Sequence, residues 1–287
     1  MQPYLSRGFM FQIVKRLAGR IVPAPCRQLL RNLQFKCKYG GTKFKCIFCG
    51  GHFRKLLPEG LKFSVLTENR VVGGGYRVNA TCPCCYSFDR ERLIYLYLKE
   101  KTNVFSERLK MLHVAPELNL QKVLKARPNI DYVSADLDPK AVMVQMDITN
   151  IQYEKDCFDV IICNHVLEHI PNDRRAMSEL YRILKPGGWS ILQVPISLSL
   201  RETYEDRTVD TPAERERLFG QGDHVRIYAH DYKERLESVG FAVEVISPSK
   251  EFSTAEVQKH ALLEGEKIYL CSKLDSVVPS VPRLPRS

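Results

Sequence analysis

The sequence is 287 residues long, 44% hydrophobic and 26% charged, enough for one large domain or two modest ones with a buried core. No apolar run approaches the roughly 20 residues that span a bilayer. The N-terminus has neither a long apolar h-region nor an Ala-x-Ala-like site, so no signal peptide is expected and the location is read as cytoplasmic.

The net charge of +10 sits at one end of the chain. Residues 1–58 hold 12 Lys or Arg and no acidic residue, whereas the remaining 31 Lys and Arg are met by 33 Asp and Glu. Such asymmetry suggests a surface for an anion: a lipid headgroup, a nucleic acid or a charged glycan. The plainer reading is an ordinary basic arm.

Residues 1–40 form this basic segment. Phe9, Ile13, Leu17 and Ile21 recur at fourfold spacing beside Lys15, Arg16 and Arg20. That pattern suits an interfacial helix touching the inner face of a membrane, or a helix packed on the protein. Pro23 and Pro25 end it. Residues 41–87 are rich in Cys, Gly and polar turns, and Gly73-Gly74-Gly75 reads as a flexible loop. Residues 88–274 alternate helix-like and strand-like segments. A helix is predicted over 88–101, a strand over 110–115, a helix through Leu120, Val123 and Leu124, and strands over 132–135, 143–146 and 158–163. Asn172 caps a helix that runs to about Leu184, and Lys185-Pro186-Gly187-Gly188 stops it. Strands over 189–194, 241–246 and 267–272 follow, with a helix over 231–239 ended by Gly240. This alternation implies a mostly parallel sheet with helices on both faces. The Pro-rich tail, residues 275–287, is expected to be disordered.

Of the ten cysteines, five lie in two tight clusters. Cys46-x-x-Cys49 and Cys82-x-x-Cys85 have the spacing of the two knuckles of a zinc ribbon. A Cys-x-x-Cys turn sets two thiolates side by side, and two such turns complete a tetrahedron. Cys84 is the odd member and His52 the weaker substitute ligand. Four protein thiolates leave no open position, so the zinc is expected to be structural.

The stretch Phe158-Asp159-Val160-Ile161-Ile162-Cys163-Asn164-His165-Val166-Leu167-Glu168-His169-Ile170, followed by Leu184-Lys185-Pro186-Gly187-Gly188, resembles the fourth-strand motif and the Leu-Lys-Pro-Gly-Gly turn of class I S-adenosylmethionine-dependent methyltransferases of the small-molecule type. The resemblance spans residues 110–274. It implies a Rossmann-like domain with a seven-stranded, mostly parallel sheet behind a small N-terminal zinc ribbon. Ligands in such sheets sit at the carboxyl ends of the strands. By this resemblance Asp136 at the second strand tip accepts the ribose hydroxyls, with Leu137 beside it. Asp147 and Ile148 flank the adenine, and Asn164 and His165 face the methionine part.

One departure is plain. The glycine-rich loop usual after the first strand reads His113-Val114-Ala115-Pro116-Glu117 here. Pro116 fixes its φ and removes an amide donor. The cofactor presents a sulfonium and an ammonium rather than a phosphate, so Ala115 and Glu117 are retained as cofactor contacts, Glu117 receiving the positive end. A zinc-ribbon subgroup of these methyltransferases is similar in this loop and in the later Gly220-Gln221-Gly222-Asp223-His224-Val225-Arg226 stretch.

Residues 198–229 follow the fifth strand, where this fold carries acceptor-binding insertions. His224 beside Asp223 is the first candidate for a general base and His165 the second, while His169 is read as packing structurally. The acceptor is expected to be a small molecule, a sugar or lipid-linked glycan intermediate among the candidates. The competing readings are a ribosomal RNA methyltransferase using the basic segment on phosphates, and a zinc-bearing scaffold without activity.

Overall fold

The computed structural model describes residues 33–140 and 142–274. The amphipathic pattern from Phe9 to Ile21, Cys26 and the tail from residue 275 lie outside the described residues. Among the described residues no helix is long and apolar enough to cross a membrane.

Seven strands form the central sheet: β1 (Leu109–Val114), β2 (Ile130–Asp136), β3 (Val144–Gln145), β4 (Phe158–Asn164), β5 (Leu184–Gln193), β6 (Ala242–Ile246) and β7 (Ile268–Ser272). Their order is β3-β2-β1-β4-β5-β7-β6. β1 to β5 run parallel, and β7 is antiparallel to both neighbours. The predicted seven-stranded, mostly parallel sheet is therefore the one observed. The chain reverses its winding between β1 and β4, which opens a crevice at their carboxyl ends.

The apolar runs of β1 and β4 are buried on both faces, as parallel strands between helical layers require. Alternation sends Leu112 and Ile161 into one core and their neighbours Met111 and Val160 into the other. The helices are α1 (Asp89–Lys101), α2 (Leu118–Lys125), α3 (Asp173–Ile183), α4 (Pro212–Phe219) and α5 (Tyr232–Glu237), among shorter turns. α1 and α2 close the second core with Leu93, Tyr97, Leu120 and Leu124; α3 and α5 close the first with Met177, Leu180 and Tyr232.

Local boundaries follow the sequence with two differences. The Asn172 side chain accepts from Arg175 N at 3.2 Å and caps α3 as predicted. The helix does stop at the Lys-Pro-Gly-Gly turn, but β5 begins at Leu184 rather than at Trp189. Leu184 pairs with Phe158, and an irregularity in register precedes Trp189. Gly187 supplies a φ of +75°, and a Cβ on Gly188 would stand 2.9 Å from the Asp159 carbonyl oxygen, so the two glycines let the strand start early. The second difference is Gly73-Gly74-Gly75, which is packed rather than free. Arg77 donates to the carbonyls of Gly73 at 3.0 Å and Gly75 at 2.8 Å while paired with Asp89 at 2.7 Å.

The cysteine-bearing segment builds two antiparallel pairs, Gly40–Lys45 with His52–Phe53 and Leu57–Glu59 with Arg77–Thr81. It has a small core of Phe44, Cys46, Phe53, Leu56 and Cys82. Several contacts join it to the larger unit, of which two matter most here. Val71–Val72 pairs with Ile196–Ser197 just beyond β5. Arg92, fully buried in α1, donates to the carbonyls of Ala80, Ser87, His260 and Ala261 at 2.7–3.0 Å.

Candidate active site and metal centre

The crevice side is built from strand tips. After β1, Ala115 takes a φ of +45°, and after β4, His165 takes +53°. Both are non-glycine residues in the left-handed region, a strained conformation typical of functional sites. Ala115 therefore adopts a backbone shape that glycine reaches without cost. Its amide donates to Ala135 O at 2.8 Å, and the His165 amide donates to Gln193 O at 2.7 Å.

Glu117 has a buried side chain held by His113 Nε2 at 3.1 Å, and His113 Nδ1 meets the Tyr132 hydroxyl at 2.9 Å. Burial pushes the Glu117 carboxyl up, but His113 outweighs it and holds the group below the usual carboxylate range. Asn164 donates through Nδ2 to Glu117 Oε1 at 3.5 Å. Its Oδ1 is buried and has no hydrogen-bond partner among the described residues. Asp136 ends β2, with Oδ1 accepting from Asp138 N at 3.0 Å, and Leu137 beside it is exposed. Asp147 Oδ1 accepts from both Thr149 N and Thr149 Oγ1 at 2.8 Å, and Ile148 is buried in the core. The structure thus brings Ala115, Glu117, Asp136, Asn164 and His165 to neighbouring strand ends. Asp147 and Ile148 follow β3 at the edge.

The N-terminus of α2 lies at this crevice. In dinucleotide-binding folds that position receives a pyrophosphate. Here the Glu91 carboxylate fills it, with Oε1 accepting from the amides of Asn119 and Leu120, both at 2.8 Å. A phosphate would meet like charge and find those amides spent. A ligand without a phosphate at this point suits the residues present. The sequence reading missed Glu91, because it lies in α1, ahead of the motif-bearing stretch.

Beyond β4, His165 sits between two acids. Its Nδ1 is 3.5 Å from Glu168 Oε1 and its Nε2 is 3.7 Å from Glu266 Oε1. Burial and Arg90 push its imidazole down, but the two carboxylates prevail and raise it. Gly73 covers this ring, since a Cβ there would stand 3.2 Å from His165 Cε1 and 2.9 Å from Glu266 Oε2. His224 is 8% exposed and packs edge-on against His169 with ring centroids 4.7 Å apart. Burial pushes His224 below the usual imidazole range and keeps it neutral. The loop around it is knit by Arg226, Arg235, Glu205 and Asp173. Glu168, His169 and Glu266 were absent from the expected site.

In the cysteine cluster, Cys46, Cys49, Cys82 and Cys85 converge with their sulfurs within 4.8 Å of one another. The two turns repeat one pattern. Gly50 N donates to Cys46 O and Tyr86 N to Cys82 O, both at 3.0 Å; Cys46 N donates to Gly51 O and Cys82 N to Ser87 O, both at 2.9 Å. Gly50 and Tyr86 share a positive φ at the matching place. Cys46–Cys85 and Cys49–Cys82 sulfur separations are 3.5 and 3.8 Å. A zinc–sulfur bond of about 2.3 Å gives tetrahedral edges of about 3.8 Å, so the four sulfurs fit that ion. Cys84 is exposed and outside the group, as is His52.

Residues 113–245 match the family model described as a methyltransferase domain. No curated protein matches the chain. Among solved structures, a Burkholderia thailandensis 1,6-didemethyltoxoflavin N1-methyltransferase is similar at 12% identity and a TM-score of 0.45, over 65% of this chain and 78% of that one. A chain of the complex formed by the Haloferax volcanii Trm112 methyltransferase activator is similar at 15% identity and 0.41, over 64% and 94%. The Bacillus subtilis YcgJ protein is similar at 15% and 0.38, over 62% and 93%. Residues 113–245 thus match a methyltransferase domain, on a sheet of the order described above.

Proposed function

We propose that this chain methylates a small-molecule acceptor, a sugar or lipid-linked glycan intermediate being the class we favour, with S-adenosylmethionine as donor. The observation that supports this most is the group of strand-tip residues at the β1–β4 reversal. There Glu117, Asp136 and Asn164 offer acceptors, and Asn164 Oδ1 is buried without a hydrogen-bond partner among the described residues. S-adenosylmethionine, when bound, supplies an electrophilic methyl group on its sulfonium. Asp136 would hold the ribose hydroxyls, with Leu137 as an apolar neighbour. Asp147 and Ile148 would border the adenine. Glu117, kept ionised by His113, and Asn164 would take the ammonium of the amino-acid end, and Ala115 would bring its backbone close.

Catalysis then rests largely on holding the acceptor in line with that methyl group. His165 and His224 are the residues we assign to the acceptor side. His165 lies between Glu168 and Glu266, whose charges raise its imidazole, and would fix the strand tip. His224 stays neutral, so its ring offers a lone pair. The four cysteines would hold a structural zinc, which supplies a cross-link between two turns too small to fold on apolar contacts alone. The test is calorimetry with S-adenosylmethionine on the native chain and on Asp136→Ala. Tight binding by the first and loss by the second is expected. A native chain that binds none would leave a scaffold without activity. A mass gain of one methyl group on a candidate metabolite pool would then identify the acceptor.

A further inference from the structure

Away from the cysteines, a second set of ligands converges on one point. Glu168 and His169 lie on the short helical turn Leu167–His169 that follows β4, and His224 lies on the loop before the strand Arg226–Ile227. One side-chain ligand atom from each falls within 4.8 Å of the other two. Glu168 is 2% exposed; its Oε1 faces His165, whereas Oε2 is buried with no hydrogen-bond partner among the described residues. A carboxylate oxygen in that condition is costly unless a positive partner meets it.

Three further observations point the same way. His169 Nδ1 lies 3.3 Å from Asp223 Oδ2, the carboxylate–imidazole contact that orients a metal-bound histidine through its other nitrogen. The frame is stiff, because Arg226 donates to the carbonyls of Leu167, Ile170 and Pro171, and Val225 N donates to Glu168 O at 3.0 Å. A small cavity beside Glu168 and His224, lined also by Gly74, Pro195, Phe219 and the Arg226 side chain, has room for about one water-sized occupant.

We propose that Glu168, His169 and His224 bind a divalent transition-metal ion, zinc or a close neighbour in the series. Two imidazoles and one carboxylate are a ligand set that such ions accept while keeping positions open. The lone pair of His224 serves ligation. With methyl transfer as the reaction, the ion would polarise an acceptor oxygen or nitrogen that reached its open positions and ease loss of that group's proton to solvent. Only this last consequence rests on the methyl-transfer reading; binding of the ion does not.

The experiment equilibrates the full chain with excess Zn2+, exchanges the buffer and measures bound metal by elemental mass spectrometry, with Co2+ spectra in parallel. The native chain is expected to retain a second equivalent beyond the thiolate-bound one. His169→Ala, at a half-buried position, and Glu168→Gln should each lose only that second equivalent. Asp223→Asn should weaken it by about 10- to 100-fold. Circular dichroism verifies that each variant is folded. Cobalt bound to nitrogen and oxygen lacks the sulfur charge-transfer bands of the cysteine site, so failure of either site is read separately. No second equivalent with either ion, or one that survives His169→Ala, would overturn the proposal and leave a buried water as the occupant.

Discussion

The Glu91 carboxylate accepts hydrogen bonds from the Asn119 and Leu120 amides, both at 2.8 Å, so one helix caps the start of the next. Glu91 is itself buried, and burial raises its carboxyl against the pull of the Leu120 amide. Truncation leaves two buried donors unmet, each worth about 1–3 kcal/mol. Glu91→Ala is expected to lower unfolding stability in urea by about 2–4 kcal/mol. Glu91→Gln keeps one acceptor and should lose less. Equal stability of all three chains would show that the cap contributes nothing.

Asp136→Ala should weaken S-adenosylmethionine binding by about 10- to 100-fold, the range for hydrogen bonds to a charged group, without lowering the melting temperature. Asp136 accepts only a local backbone amide in the protein, so its loss leaves no buried group unpaired. Calorimetry beside a thermal melt separates the two effects. Unchanged affinity would move the ribose elsewhere.

Cys46→Ser should release zinc and loosen the small core of Phe44, Phe53 and Leu56, since a four-thiolate site contributes folding energy directly. Elemental analysis and protease sensitivity of residues 41–87 report it. Cys84→Ser, on an exposed residue outside the group, should change neither.

Glu205 gives a pH test. Burial raises its carboxyl, but Arg235 and Arg226 outweigh that and hold it below the ordinary value of 4.5. A depressed folded value means the stabilisation is present above about pH 4.5 and fades as pH falls through the folded value. Glu205→Gln removes the difference, so its melting temperature should fall less steeply on the acid side than that of the native chain. Parallel curves would mean the ion pairs are not felt.

Much of this was legible beforehand, and the reasons are local. Periodicity marked every strand of the sheet, Asn172 marked a cap, and the cysteine spacing named the four sulfurs that converge. What stayed hidden depends on distant segments meeting. Nothing in the Gly73 stretch announces that it will lie on His165 and Glu266, some 90 and 190 residues further on. His169 reads as a packing residue, and Glu168 carries no signal of its own, until the loop bearing His224 folds over them. The missing glycine after β1 was a chemical puzzle on paper. The structure answers it with Ala115 in the left-handed conformation and Glu91 at the helix start. Ala115→Gly should then be tolerated or slightly stabilising, and Ala115→Val should be damaging, in a thermal melt.

Arg92 limits how the chain can be trimmed. Its guanidinium spends every bond on carbonyls from both sides of a seam, two near the second cysteine turn and two near residue 260. A shortened version that keeps α1 but discards residues 41–87 would remove two of the four carbonyls that meet this cation and open the seam around it. The sulfur-bearing piece is thus a wall of the enzyme rather than a detachable appendage, and homologous swaps of it would have to bring a matching seam.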